Sequence, residues 1–265
     1  MKRLDQLMRL DGSRALVTGA SGHVARAVAE ALAELGCGLV LTDRDDSVQQ
    51  VASELAAVWH VDVRPLVADL ADSAAVGALA KDALAGRERL DVLVHCGAMV
   101  SAEQREGWTC GFEDQGLEPW RRALAVNLTA PFLLTQALAP ALRQARGRVI
   151  AIGSIYGMLG PDLGLYDGTA MGNSAAYAAS KGGLLQLTRW LATVMAPDVR
   201  VNTITLGGIE RQQPQSFQDR YVARTPLRRM GTEEDIKGAV AFLATGASAY
   251  VTGQNVAVDG GFSAW

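Results

Sequence analysis

The chain has 265 residues, of which 49% are hydrophobic and 20% charged, which is enough for one large domain with a buried core. Its net charge of 25 − 28 = −3 excludes the basic surface that is typical of nucleic-acid-binding proteins. The sequence offers no apolar run long enough for a bilayer, no signal peptide, and no metal-ligand spacing among its three cysteines. We therefore predict a single cytoplasmic domain, 1–265, that binds neither nucleic acid, membrane nor metal.

Apolar runs alternate with amphipathic segments along the whole chain, as strands alternate with crossover helices. Strands are predicted, in chain order, at 15–18, 39–42, 65–68, 92–95, 149–152, 201–205 and 255–258. Helices are predicted at 24–35, 48–57, 73–85, 119–143, 175–195 and 233–244. Several strands are continuously apolar, as expected when helices cover both faces of a parallel sheet. The pattern predicts an α/β fold of the Rossmann type, a doubly wound parallel sheet of about seven strands.

A glycine-rich turn at 18–25 joins the first predicted strand to the first predicted helix. Gly19 permits a tight turn, and the short backbone lets a pyrophosphate approach the helix N-terminus. Gly22 gives a Gly-x-x-Gly spacing, and His23 either contacts a phosphate or points outward. The turn predicts a dinucleotide site, with a ligand-free strand–helix turn as the alternative.

Asp43 follows the second predicted strand, where a carboxylate can accept hydrogen bonds from ribose hydroxyls and repels a 2′-phosphate. The neighbouring Arg44 favours the opposite preference, because a guanidinium can pair with that phosphate. We predict NAD as the cofactor. NADP remains the alternative, and an exposed Asp-Arg turn without a ligand is a further one.

Tyr177 and Lys181 stand four residues apart in a predicted helix, so their side chains share one face. A phenol with a pKa near ~10 is a weak acid–base group at neutral pH, and a nearby ammonium lowers that pKa. Lowering the pKa of a tyrosine from ~10 to ~7 requires a shift of about 3 units, which is roughly 4 kcal/mol of differential stabilisation of the phenolate. The spacing predicts an acid–base pair, with a core tyrosine and an outward-reaching lysine as the alternative.

These motifs together resemble the short-chain dehydrogenase/reductase family, in its compact branch, over nearly the whole chain. The resemblance places residues 18–25 at the glycine motif, Asp69 at the adenine-contacting Asp, 95–98 at the Asn-Asn-Ala-Gly motif, and 206–209 at the Pro-Gly motif. The catalytic set that it implies is Asn127, Ser154, Tyr177 and Lys181. The implied cofactor-binding set is Gly19, Ser21, Gly22, His23, Val24, Asp43, Arg44, Asp69, Leu70, Cys96, Gly97, Ala98, Tyr177, Lys181, Gly207 and Ile209.

The resemblance also implies a role for each catalytic residue. Tyr177 would exchange a proton with the substrate oxygen, and Ser154 would hydrogen-bond the same oxygen. Lys181 would lower the pKa of Tyr177 and hold the nicotinamide ribose, while Asn127 would order a water that links Lys181 to solvent. A homotetramer, or a dimer, is implied by the resemblance as well.

Two connections, 99–118 and 155–174, are unusually long, and both leave the carboxyl ends of strands. Ser154 and Tyr177 are 177 − 154 = 23 residues apart, more than is usual in the family. The insert between them, residues 160–173, resembles a subgroup associated with sugar metabolism and with surface-glycan or flagellin-sugar modification. The predicted substrate loops are 99–118, 155–174 and 207–226.

Several side chains in these loops suit a sugar. Hydroxyls can be bonded by four side chains of the insert: Asp162, Tyr166, Asp167 and Thr169. In the other long loop, Trp108 and Phe112 are placed to stack on a ring, and Tyr156 is a further predicted substrate residue. Arg211, with Arg220 and Arg224, suits a phosphate or carboxylate. The alternative interpretation is that the insert makes contacts between subunits and that the three arginines form a solvated face.

We therefore predict an NAD(P)-dependent oxidoreductase that interconverts a secondary alcohol and a ketone on a sugar, sugar acid or related polyhydroxylated substrate. An NADP-dependent 3-oxoacyl thioester reductase is one alternative. A non-catalytic nucleotide-binding protein is another, motivated by departures from the family motifs at His23, His95 and Leu206.

Overall fold

The computed structural model describes residues 1–100 and 106–265. Seven strands of the described chain form one parallel sheet in the order β3-β2-β1-β4-β5-β6-β7. In chain order they are β1 Arg14–Thr18, β2 Gly38–Asp43, β3 Val63–Val67, β4 Val92–His95, β5 Arg148–Ser154, β6 Arg200–Leu206 and β7 Asn255–Val258. The strand order reverses direction between β1 and β4, which confirms the predicted doubly wound sheet.

Helices cover both faces of this sheet. They are α1 Leu4–Leu7, α2 His23–Glu34, α3 Ser47–Trp59, α4 Ser73–Leu84, α5 Leu117–Leu124, α6 Ala130–Ala145, α7 Ala175–Val194, α8 Gln215–Arg224 and α9 Glu234–Ala244. Alternate residues of β1 point to opposite faces: Val17 packs with α2, α3 and α9, whereas Leu16 packs with α4, α6 and α7. Both faces are buried, which explains the continuously apolar strands.

The structure differs from the predicted elements in several places, among them the short helix α1, which was not predicted, and β3, which begins two residues before its predicted start. The helix predicted at 119–143 is divided, because a π-helical turn, Ala125–Thr129, separates α5 from α6. The amphipathic helix α8 was not predicted, since its sequence is mostly polar and it buries only Phe217 and Tyr221. β5 continues to Ser154, two residues beyond its predicted end.

One helical run of the described chain, Leu117–Ala145, is long and apolar enough to cross a membrane by length and composition, since it contains an 18-residue window with a mean hydropathy of 1.3. This corrects the expectation that no stretch reaches that length. Leu134 and Leu138 in this run are at most 1% exposed and belong to the core between α4, α6 and the sheet. Core helices of globular domains meet the same length criterion, so the run is weak support for a membrane span.

Candidate active site

A cavity of about 800 Å³ opens at the carboxyl ends of the strands, where the strand order reverses. Doubly wound sheets bind ligands at this position. All of the residues predicted to bind the cofactor line it: Gly19, Ser21, Gly22, His23, Val24, Asp43, Arg44, Asp69, Leu70, Cys96, Gly97, Ala98, Tyr177, Lys181, Gly207 and Ile209. Ser154 lines it too, so the acid–base residues and the glycine turn share one cavity.

The glycine turn has the geometry that a pyrophosphate site needs. Gly19 has φ +69°, a conformation that favours glycine, and a Cβ there would lie 2.5 Å from the Cα of Gly97. Both the backbone conformation and the close approach of Gly97 therefore exclude a side chain at this position. Gly22 precedes α2, and no described side chain caps this helix end. The first-turn N–H groups and the positive end of the helix dipole are therefore available to an anion.

Asp43 is fixed at the end of β2 by two backbone N–H groups. Its carboxylate accepts hydrogen bonds from the N–H of Ser21, at 2.8 Å, and from the N–H of Arg44, at 2.7 Å. A carboxylate has about four lone-pair sites, so acceptor capacity remains on the cavity side. Arg44 lines the same part of the cavity and lies 4.0 Å from a carboxylate oxygen of Asp45.

Ser154, Tyr177 and Lys181 converge despite the long insert. Ser154 ends β5, while α7 carries the other two and is capped by Ser174, whose hydroxyl accepts the Tyr177 N–H at 3.2 Å. The Tyr177 and Ser154 hydroxyls are hydrogen-bonded to each other. Lys181 Nζ donates to the carbonyl oxygen of Ile152 at 2.8 Å and lies 5.8 Å from the centroid of the Tyr177 ring.

Burial determines the charge states of this group. It raises the pKa of Tyr177, an effect that the hydrogen bond with Ser154 opposes in part. It lowers the pKa of Lys181 to about 8. The predicted lowering of the Tyr177 pKa is thus absent from the protein alone, because desolvation of the phenolate outweighs any help from the ammonium.

Asn127 lies in the π-helical turn and is fully buried rather than lining the cavity. Its Oδ1 accepts the N–H of Met99 at 2.7 Å, and its Nδ2 donates to the carbonyl of Met99 and to Ser180 Oγ at 3.2 and 2.9 Å. The amide therefore ties the segment after β4 to α7. π-Helical turns are frequent at functional sites. The water-ordering role of Asn127 stays a prediction.

His95, the last residue of β4, and Cys96, which follows it, are both tied to neighbouring elements of the fold. His95 Nε2 lies 2.8 Å from Thr135 Oγ1 on α6, and burial lowers the pKa of His95 to about 3, so the ring is neutral. The backbone N–H groups of Cys96 and Gly97 donate to Thr18 Oγ1 at 3.1 and 3.0 Å. Burial also raises the pKa of the Cys96 thiol to about 12, so it is protonated at neutral pH.

Among the predicted substrate residues, Arg211 lines the cavity and four others do not: Trp108, Tyr156, Asp162 and Tyr166. Trp108 is 1% exposed, and its indole N–H donates to the carbonyl of Val100 at 2.9 Å, so it cannot stack on a ligand in this arrangement. The hydroxyls of Tyr156 and Tyr166 bond each other at 2.6 Å. Asp162 accepts the N–H of Gly164 and forms an ion pair with Arg224. In this arrangement these four side chains bond within the protein and do not line the cavity, and their contacts with a substrate stay a prediction.

The insert is bound to α8 instead. Arg220 donates to the carbonyls of Leu165 and Asp167 at 3.2 and 2.6 Å. Neighbouring ring centroids lie 5.5, 5.9 and 4.7 Å apart along the aromatic row Tyr166, Phe217, Tyr221 and Phe262. Arg220 and Arg224, predicted to suit a phosphate or carboxylate of the substrate, thus hold the insert against α8.

Other residues that line the cavity were missed in the sequence. They include Met99, Val100, Arg122, Val126, Met171, Gln212, Gln213 and Pro214, with parts of the strand ends. Met171 and residues 212–214 lie inside predicted substrate loops, but their residue types gave no signal. Residues 101–105 of the loop 99–118 lie outside the described residues. Within the described chain, no cluster of three His, Cys, Asp or Glu side chains could hold a metal ion.

The switch-point cavity, the glycine turn and the Ser–Tyr–Lys group define a dinucleotide-dependent oxidoreductase. A family model described as Enoyl-(Acyl carrier protein) reductase matches residues 19–263. The chain belongs to the short-chain dehydrogenase/reductase family, whose members are oxidoreductases that use NAD or NADP.

Curated relatives align over almost the full chain. Nodulation protein G from Rhizobium sp. is 34% identical over 97% of this chain and 99% of its own length. Galactitol 2-dehydrogenase (L-tagatose-forming) from Cereibacter sphaeroides is 32% identical over 98% of each chain. The 3-oxoacyl-[acyl-carrier-protein] reductase of Escherichia coli is 31% identical over 96% of this chain and 98% of its own.

A solved structure shares the fold closely. Gluconate 5-dehydrogenase from Burkholderia cenocepacia, in complex with NADP and tartrate, superposes with a TM-score of 0.87 at 28% identity. The match covers 99% of this chain and 100% of that one.

Proposed function

We propose that this protein interconverts a secondary alcohol and a ketone on a sugar, sugar acid or related polyhydroxylated substrate, with NAD as the preferred cofactor. The observation that carries the proposal is the convergence of Ser154, Tyr177 and Lys181 in the cavity that also contains the glycine turn. Alcohol oxidation requires a base beside the carbon that loses a hydride. Tyr177 is placed to be that base, and the positive charge of an oxidised nicotinamide beside it would oppose the burial that raises its pKa in the protein alone.

The protein side of the reaction follows from the contacts. Tyr177 accepts the hydroxyl proton during oxidation and returns it during reduction, and Ser154 holds the same substrate oxygen. Lys181, anchored on the carbonyl of Ile152, keeps a positive charge near the phenol. The nicotinamide supplies the hydride chemistry when bound, and Gly19, Gly22 and Asp43 would hold its dinucleotide.

The substrate class is supported by the relatives and by the cavity wall. Similar proteins include enzymes named for galactitol and gluconate, both polyhydroxylated. The polar side chains of Arg211, Gln212 and Gln213 line the wall of the cavity, and the Gln213 amide donates to the carbonyl of Ile209 in the protein alone. A guanidinium in this position suits a carboxylate, although Arg211 is ion-paired with Glu233 in the protein alone.

The central experiment compares wild type with Tyr177→Phe on galactitol and gluconate with NAD or NADP, and on 3-oxoacyl thioesters with NADH or NADPH. We expect turnover of a polyol or sugar acid by wild type. Loss of the phenol should lower kcat by about 10²- to 10⁴-fold, the usual contribution of a general acid–base group, while NAD still binds. Unchanged kcat would remove Tyr177 from the mechanism, and turnover of thioesters alone would favour the reductase alternative suggested by the E. coli relative.

The preference for NAD rests on Asp43 at the end of β2. Asp43→Asn keeps a hydrogen-bonding group but removes the charge that repels a 2′-phosphate. We expect the NAD-to-NADP ratio of kcat/KM to fall by about tenfold, equivalent to about 1.4 kcal/mol. If wild-type enzyme used NADP better than NAD at equal low concentration, NAD preference would be wrong; the related gluconate dehydrogenase structure contains NADP.

We further propose that the chain forms a homotetramer or dimer. Trp190 and Val194 lie one turn apart on α7 and are 54% and 43% exposed, an apolar pair that a second copy could cover. A cytoplasmic location also stays a prediction. The three cysteines, all within the described chain, are free, as expected in a reducing compartment.

A further inference from the structure

A charged pair lies on the side of the cavity that faces the β3 edge of the sheet. Arg122 of α5 and Asp69, just after β3, both line the cavity. Arg122 Nη2 lies 3.1 Å from Asp69 Oδ2 and 3.5 Å from Oδ1. The N–H of Ala71 donates to Oδ1 at 2.9 Å. The carboxylate is therefore held from two directions.

The sheet order indicates which part of a dinucleotide meets this pair. The turn after β1 suits the pyrophosphate and Asp43 after β2 suits the ribose, so the base beyond the ribose lies beside the end of β3. β3 is four strand positions from β5, which ends at Ser154, a separation of roughly 19 Å at ~4.8 Å per strand. Asp69 and Arg122 are thus remote from the acid–base residues.

The chemistry of the pair is selective for one edge of a purine. Partial burial raises the pKa of Asp69, but the hydrogen bond from the Ala71 N–H and the charge of Arg122 together lower it by more. The net pKa lies below its usual value, so the group is an ionised carboxylate at neutral pH. A carboxylate only accepts hydrogen bonds, and lone pairs remain beyond those used by Ala71 and Arg122. Adenine offers a 6-amino donor, whereas hypoxanthine offers a 6-oxo acceptor that the carboxylate repels.

We propose that Arg122 is a positioning residue that holds the Asp69 carboxylate toward the base, so that the cavity selects a 6-amino purine dinucleotide over a 6-oxo one. The inference rests on the dinucleotide placement given under Proposed function. Arg122 acts through Asp69 and takes no part in hydride transfer.

The test measures dissociation constants of NAD and nicotinamide hypoxanthine dinucleotide by isothermal titration calorimetry. We expect wild type to bind the hypoxanthine analogue at least about tenfold more weakly. Arg122→Met should bring the ratio of the two constants close to one, and Arg122→Lys should restore part of it. Arg121→Met, on the exposed neighbour in α5, is the matched control and should leave the ratio unchanged.

A purely structural role for Arg122 would weaken both dinucleotides equally and leave the ratio at its wild-type value, which would overturn the inference. A wild-type ratio near one would overturn it as well. Should Arg122→Met fail to fold, Asp69→Asn is the second variant, because its amide can donate to a 6-oxo group and should reduce or invert the preference. Wild-type protein that binds neither NAD nor NADP would instead refute the cofactor site itself.

Discussion

Burial opposes the charged forms of both Tyr177 and Lys181 in the protein alone. The spacing of these residues predicts their common face and their proximity, and the structure places Lys181 Nζ 5.8 Å from the phenol ring. Their pKa values could not be predicted from spacing, because desolvation depends on what the rest of the chain packs around them. Lys181 is 4% exposed, which no local sequence feature indicates.

The lowered pKa of Lys181 predicts a pH-dependent stability difference. The unfolded lysine titrates near 10.5 and the folded one near 8, so below pH 8 the fold carries the full cost of a buried charge. That cost disappears as pH rises to 10.5. We expect the free energy of unfolding of Lys181→Met, relative to wild type, to decrease by about 3 kcal/mol between pH 8 and 10.5.

Urea denaturation of the cofactor-free proteins across this pH range measures the difference. A change in packing caused by the methionine side chain alters the difference in unfolding free energy by the same amount at every pH. The slope of that difference against pH therefore reports the titration of Lys181 alone. A difference that stays constant with pH would show that Lys181 is not destabilised by burial.

At the scale of elements, helices and strands with strong apolar periodicity were predicted and polar or interrupted ones were not. β4 has its predicted bounds because four apolar or buried residues are flanked by turn-forming sequence. The π-helical turn at Ala125–Thr129 was missed since its residues continue the helical pattern of α5 and α6. Its cause is tertiary: Asn127 bonds Met99 and Ser180, and Leu128 occupies the space that a side chain at Gly183 would need.

The insert and α8 depend on each other through Arg220. Arg220→Leu removes two hydrogen bonds from a guanidinium to insert carbonyls. We expect a loss of about 1 kcal/mol, a fall in Tm of roughly 2–4 °C, and faster proteolysis within residues 160–173.

The matched control is Arg189→Leu, on the exposed face of α7, where the arginine donates to the side chain of Gln186 in the same helix. Equal changes in Tm and in cleavage of the insert for both variants would contradict a specific link between the insert and α8.

At the scale of the whole molecule, the position of the cavity follows from the sheet order. Strand–helix alternation predicts parallel strands and right-handed crossovers, and these place the glycine turn, Asp43 and Ser154 at the same edge of the sheet. The wall formed by Met171 and residues 212–214 could not be predicted. It depends on how the insert and α8 pack against each other, and the sequence encodes that packing in contacts between distant residues.

Assembly is the property of the whole molecule that the fold makes testable. Trp190→Glu places a charge in the exposed apolar pair of α7, and a charge buried at an interface without a partner is strongly unfavourable. We expect wild type to elute as an assembly of two or four chains and Trp190→Glu to fall to at most half that mass by light scattering. Val58→Glu, an exposed apolar residue on α3, is the control and should assemble as wild type does. A Trp190→Glu variant with the wild-type mass would exclude this face of α7 as an interface, and a monomeric wild type would contradict the proposed assembly.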